Sequence, residues 1–136
     1  IKMEKIGVID TGLSNFGSLK NILLRFDKKA EIISKSNQIN QYKKIILPGV
    51  GRFDTAMDFL NKKNILEDLK IFSKNKNNII LGICLGMQLL CKSSEEGKLP
   101  GLGLIDANVK HLKKLNVNKL KYPHMGWNKL QTNLFF

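Results

Sequence analysis

The sequence predicts an α/β fold in three layers, a parallel sheet with helices on both faces, and three observations predict it. Four short apolar stretches, residues 4–10, 31–34, 44–47 and 79–83, recur along the chain. Between them, apolar residues fall three or four apart, the period of a helix packed on one face. The stretches give way to turn signals, such as the polar, Gly-rich run after Asp10 and the Pro48-Gly49 pair. Strands alternating with helices form right-handed βαβ units and a sheet covered on both sides.

Each element follows in order. Ile6, Val8 and Ile9 make residues 4–10 a short buried strand, and Leu19, Ile22, Leu23 and Phe26 mark the helix after it. Residues 31–34 and 44–47 give a second and third strand. From Phe53 to Phe72, the spacing of Met57, Leu60, Ile65, Leu66 and Leu69 predicts one or two helices interrupted near Asn61–Asn64. Residues 79–83 are the fourth strand, followed by a helix from Leu85 to Lys92. Residues 103–112 alternate enough to predict further strands, as a hairpin, and 115–121 is a Lys/Asn-rich turn. There is no internal repeat and no interdomain linker, so residues 1–136 read as one domain.

Composition narrows the class. The chain has 136 residues, 43% of them hydrophobic, enough for a real core. No apolar run approaches the roughly 20 residues of a membrane span, and no signal peptide is evident, so a cytoplasmic protein without a membrane anchor is expected. The net charge of +12 invites a nucleic-acid reading. However, the charge is nearly all Lys, scattered among Asn and Ile, and few aromatics interleave with it as stacking platforms would. The two cysteines, Cys84 and Cys91, would lie about 10 Å apart along one helix, too far for a disulfide. Neither has metal-ligand spacing, and no metal or cofactor is expected.

Gly82-Ile83-Cys84-Leu85-Gly86 carries the chemistry. It is a glycine–x–nucleophile–x–glycine elbow with Cys at the centre. A strand turning sharply into a helix forces the central residue into an unfavourable backbone conformation, and flanking glycines avoid collision with neighbouring backbone. The thiol would sit at a helix start, where partial positive charge favours thiolate, and the Leu85 N–H could donate to an oxyanion. The plain alternative is a buried structural Cys. Gln88 lies one helical turn from Cys84, on the same face, and Glu96 is an acidic group close in sequence. The plain alternative for Gln88 is an ordinary polar helix residue, and for Glu96 a solvated surface carboxylate, which the residues alone favour. Leu47-Pro48-Gly49-Val50-Gly51 follows the third strand and would lie beside Cys84. Two glycines there let a peptide reorient and present the Val50 or Gly51 N–H to an oxyanion. Cys91 reads as a packing residue.

These stretches, GICLGMQLL (82–90), SSEEG (93–97), PGVGRFDTAM (48–57), PGLGLI (100–105) and PHMGWN (123–128), resemble the class I glutamine amidotransferases. Within that class they look like the glutaminase subunits of imidazole glycerol phosphate synthase. The resemblance runs from Lys5 to about Leu130. It implies a flavodoxin-like fold, with Cys84 as nucleophile, Leu85, Val50 and Gly51 around the oxyanion, and Gln88 and Glu96 holding glutamine. It also implies a heterodimer in which ammonia passes to a (β/α)₈-barrel synthase subunit in histidine biosynthesis. His124, Met125, Trp127 and Asn128 then fall at the contact with that partner, where an exposed Trp is a suitable anchor.

Two departures qualify the resemblance. The family's first loop reads Asp-Tyr-Gly-x-Gly-Asn, whereas Asp10-Thr11-Gly12-Leu13-Ser14-Asn15 has Thr for Tyr and Ser for the second Gly. Related subunits that supply ammonia for surface-polysaccharide amidation vary here and are the alternative within the class. The family's base, a His and Glu in a His-Pro-Glu motif, has no counterpart in these residues. Neither His111 nor His124 precedes Pro-Glu. The expectation is an N-terminal two-thirds of the domain, carrying the nucleophile without its base, or a catalytically dead synthase-binding fragment.

Overall fold

The computed structural model describes residues 4–12, 15–115, 123, 125–129 and 131. Strand β1 (Glu4–Ile9) leads through a loop to helix α1 (Phe16–Leu24), and β2 (Lys28–Ile33) returns beside it. A short 3-10 turn, Ser36–Gln41, precedes β3 (Lys44–Leu47). Helices α2 (Phe53–Lys62) and α3 (Ile65–Ser73) follow, then β4 (Ile79–Gly82) and α4 (Leu85–Leu90). Two further strands, β5 (Cys91–Ser94) and β6 (Ile105–Val109), form a separate pair.

The main sheet has the order β2-β1-β3-β4 and all its ladders are parallel. Alternation along the strands decides what covers each face. Ile9, Ile33, Ile45 and Leu47 pack with residues of α2, α3 and α4 into the larger core, including Phe53, Leu60, Ile65, Leu69 and Leu89. Ile6, Val8, Ala30 and Ile46 pack under Phe16, Leu19 and Leu23 of α1. The predicted three layers are therefore present. On the α1 side, Ile79 and Leu81 of β4 remain exposed.

Several details differ from the sequence reading. Strand β2 begins at Lys28 rather than Glu31, and α1 stops at Leu24, leaving Phe26 exposed. Helix α4 ends at Leu90, and Cys91, read as the penultimate residue of that helix, opens a strand instead. The expected hairpin is a parallel pair, β5 with β6. Alternating residues do not encode strand direction. Here the connection folds back on α4 and β5, held by the N–H groups of Gly101, Leu102 and Gly103 on the carbonyls of Lys92, Leu89 and Cys91. The break near Asn61–Asn64 is as expected: Asn64 adopts a left-handed φ of 56° between α2 and α3, a conformation Asn tolerates.

Ion pairs fasten the polar ends of the strands. Glu4 bridges Lys28 and Lys44 from the two flanking strands at 2.9 and 2.8 Å. Glu31 receives Lys5, Lys29 and the Tyr42 hydroxyl, each at 3.0 Å. Lys44, then Lys28, hold the Glu4 carboxyl down at about 2. Lys5 leads the same effect on Glu31, also about 2. Both folded values lie below the ordinary carboxylate range near ~4.3. Their contribution is therefore complete above that range and lost as pH falls through about 2. Carboxyl titrations followed by NMR should give midpoints near about 2 for both residues, with stability declining as pH drops below ~4.3. Ordinary midpoints would show that these pairs do not form in solution.

Candidate active site

Cys84 stands where β4 meets α4, at φ 53° and ψ −115°, a left-handed backbone that side chains rarely adopt. The turn is tight because α4 starts against β3. A Cβ on Gly86 would land on the Leu47 carbonyl oxygen, and one on Gly82 would sit 2.7 Å from the Met87 backbone nitrogen. Both glycines are thus required by close approach, as the elbow pattern predicts. Cys84 is exposed, whereas Cys91 is buried with its Sγ directed to the Met87 carbonyl at 3.5 Å. Only Cys84 is placed to react with a ligand.

The loop after β3 lies beside this turn, as the parallel order requires. The Leu85 N–H donates to the Gly49 carbonyl at 3.3 Å, and the Ile83 N–H to the Leu47 carbonyl at 3.0 Å. The first bond was not legible in the sequence. It occupies the N–H assigned to the oxyanion, so that donor becomes available only when the Gly49 carbonyl turns away. Val50 is exposed, and Gly51 has φ 102°, a value that favours glycine.

Gln88 and Glu96 are together. Gln88 Nε2 donates to Glu96 Oε2 at 3.2 Å, and both line a cavity of about 380 Å³ with Val109, Lys110, His111, Leu112 and Pro123. Ser94, absent from the sequence reading, completes the group: its hydroxyl donates to Gln88 Oε1 at 2.8 Å. Its only signal was membership of SSEEG, because the strand that carries it was read partly as helix. Glu95 has partners of its own. The His111 N–H, at 2.8 Å, and then Lys114 hold its carboxyl at about 2. Asp54, in the first turn of α2, accepts the N–H groups of Leu99 and Lys98, which lower its pKa and tie the loop after Glu96 to α2.

His111 also lines the cavity, with its Nδ1 accepting the Lys113 N–H at 3.1 Å. Of the segment assigned to a partner, Met125 and Trp127 are almost fully exposed, Asn128 is exposed, and His124 lies outside the described residues. Among the described residues, no helix is long and apolar enough to cross a membrane.

Comparison with known proteins agrees with this geometry. A family model, the CobB/CobQ-like glutamine amidotransferase domain, matches residues 5–132. Curated relatives include imidazole glycerol phosphate synthase subunit HisH of Prochlorococcus marinus, 46% identical over 92% of this chain and 57% of its own length. HisH 2 of Methanococcus maripaludis is 45% identical over 90% of this chain and 60% of its own. The hisH subunit of Cyanidium caldarium is 40% identical over 98% and 62%. The chain thus spans about three-fifths of the length of these relatives. A crystal structure of a glutamine amidotransferase superposes with a TM-score of 0.67 at 23% identity, covering 76% of this chain and 54% of that one, which supports the same fold. The matched span takes in β1 through β6 and the Cys84 turn alike, and the chain belongs to the CobB/CobQ-like glutamine amidotransferase domain family.

Proposed function

We propose that this chain carries the nucleophilic half of a glutaminase that releases ammonia from glutamine for a synthase partner in the cytoplasm. The observation that carries the reading is Cys84: exposed, at φ 53°, in a turn that two glycines alone permit. Such a turn lifts a nucleophile clear of the sheet. Cys84 Sγ attacks the glutamine carboxamide carbon, the C–N bond breaks, and ammonia leaves with a proton. Water then cleaves the thioester to glutamate and the free thiol. Gln88 and Glu96 hold the amino-acid end, with the Glu96 carboxylate facing the ammonium group.

The oxyanion step requires a rearrangement. Rotating the Gly49–Val50 peptide removes a carbonyl from Leu85 and brings the Val50 N–H to the same side, and glycines at 49 and 51 ease the rotation. Leu85 and Val50, with Gly51 next in line, then supply donors to the developing negative charge. The resemblance implies that a His and Glu of a His-Pro-Glu motif move the protons, and these residues contain no such motif. The 136 residues alone are therefore expected to form a covalent adduct but to turn over glutamine poorly.

The named relatives favour a role in imidazole glycerol phosphate synthesis over polysaccharide amidation. Met125, Trp127 and Asn128, with His124, would then meet a (β/α)₈-barrel subunit. The test of the site is mass spectrometry after exposure to a diazoketone analogue of L-glutamine. One adduct is expected on Cys84 and none on Cys91, forming with saturation and slowed by L-glutamine but not D-glutamine. Adducts that form without saturation or competition would overturn the reading.

A further inference from the structure

We infer that Ser94 is a positioning residue that sets the orientation of the Gln88 amide and so fixes the glutamine-binding pair. The inference rests on the proposed function for its ligand but on separate geometry for the residue. Ser94 is 4% exposed and lies at the end of β5, paired with Val109 of β6. On either side of it, the Ser93 hydroxyl is bonded to Asn108 Oδ1 at 2.7 Å and the Glu95 N–H to the Val109 carbonyl at 3.1 Å. The hydroxyl is therefore presented from a fixed backbone.

Its hydrogen bonds and the Glu96 carboxylate together favour one arrangement. The Glu96 N–H donates to Ser94 Oγ at 3.2 Å, so that oxygen is already an acceptor. The hydroxyl proton points to Gln88 Oε1, 2.8 Å away, because the Gln88 Nε2 is turned to the Glu96 carboxylate. A side-chain amide can turn over, exchanging oxygen for nitrogen. In the reversed state the Gln88 oxygen would face the Glu96 carboxylate, acceptor against acceptor, and the Ser94 proton would have no acceptor. With Ser94 in place, Nε2 faces Glu96 at 3.2 Å. The Ser94 hydroxyl and the Glu96 carboxylate thus select the same amide orientation of Gln88, and the hydroxyl alone ties that amide to the backbone that carries Glu96. Both side chains line the same cavity.

The experiment uses this chain as it stands and compares Ser94→Ala and Ser94→Thr with the parent. In Ser94→Ala, the half-saturating concentration of the diazoketone analogue is expected to rise about tenfold, the loss of one oriented hydrogen bond. The limiting rate of Cys84 modification should stay within about twofold, because Ser94 acts through Gln88 and Glu96 and not on sulfur. Iodoacetamide, which has no amino-acid end to be recognised, should modify parent and variant equally. Ser94→Thr keeps the hydroxyl and should recover most of the difference. The orientation can also be read without any ligand. The Gln88 side-chain amide should show restricted ¹⁵N relaxation in the parent and lose that order in Ser94→Ala.

An unchanged half-saturation together with an unchanged Gln88 amide would overturn the inference. So would a parallel loss of iodoacetamide reactivity, which would indicate general loosening of the fold. If the parent shows no saturable modification while Ser94→Ala still frees the Gln88 amide, the glutaminase reading fails and the positioning role of Ser94 stands.

Discussion

Gly86→Ala is expected to destabilise the protein by more than about 3 kcal/mol and to end capture of the glutamine analogue at Cys84. The added methyl would meet the Leu47 carbonyl oxygen and carbon, and then the Pro48 nitrogen at 3.3 Å. All three are backbone atoms of β3 and its loop, so no side chain can rotate out of the way. Relief requires α4 to move off the sheet, which breaks the Leu85 to Gly49 bond and opens the core around Leu85 and Leu89. Gly17→Ala, in helix α1, is the matched control, since among the described residues its Cβ would meet only Asn15 Oδ1, at 3.5 Å. That change should be neutral or stabilising by up to ~1 kcal/mol. Urea denaturation of both variants makes the comparison, and equal midpoints would refute the packing account of the elbow.

Phe53→Ala is the second large effect, about 3–5 kcal/mol of lost stability. Phe53 is fully buried, opens α2, and belongs to the core that joins α2, α3 and α4 to the sheet. Removing the ring leaves a cavity in the middle of that core. Phe53→Leu, which keeps most of the volume, should lose less than ~1.5 kcal/mol. Phe53 follows closely on the loop 48–51, and its Cδ1 lies 2.6 Å from where a Cβ on Gly97 would be. The truncation should therefore also raise hydrogen exchange in residues 97–99. A loss under about 1 kcal/mol would mean that α2 is held by something other than this ring.

The sequence made the layers readable because burial and period coincided there. Ile45, Ile46 and Leu47 are all buried, and a continuous apolar run is what a central parallel strand requires. Strand β2 started earlier than expected for the opposite reason. Lys28 and Lys29 look like loop residues, and only the parallel ladder to β1, with Glu4 beside Lys28 and Lys5 beside Lys29, makes them part of a strand. Strand β5 was hidden more completely. Four residues, Cys-Lys-Ser-Ser, have little β preference of their own, and their partner strand lies beyond a long connection.

The site divides along the same line. Cys84 and Gln88 could be placed from local spacing and Glu96 from the resemblance, and the structure brings Gln88 and Glu96 into contact. Ser94 and the Leu85 to Gly49 bond depend on how separate segments meet, so no local pattern could reveal them. His111 shows the limit from the other direction. Its neighbours in sequence gave no reason to place it beside Gln88, yet β6 delivers it to the same cavity.

The backbone of Cys84 carries one more consequence. At φ 53° and ψ −115°, every residue except glycine holds strain on the order of 1–3 kcal/mol. A library of variants ranked by heat tolerance would therefore place Cys84→Gly above the parent, with the exposed sulfur gone. Directed evolution of this fold toward robustness needs selection on reactivity in every round, because resistance to unfolding alone rewards erasing the proposed nucleophile.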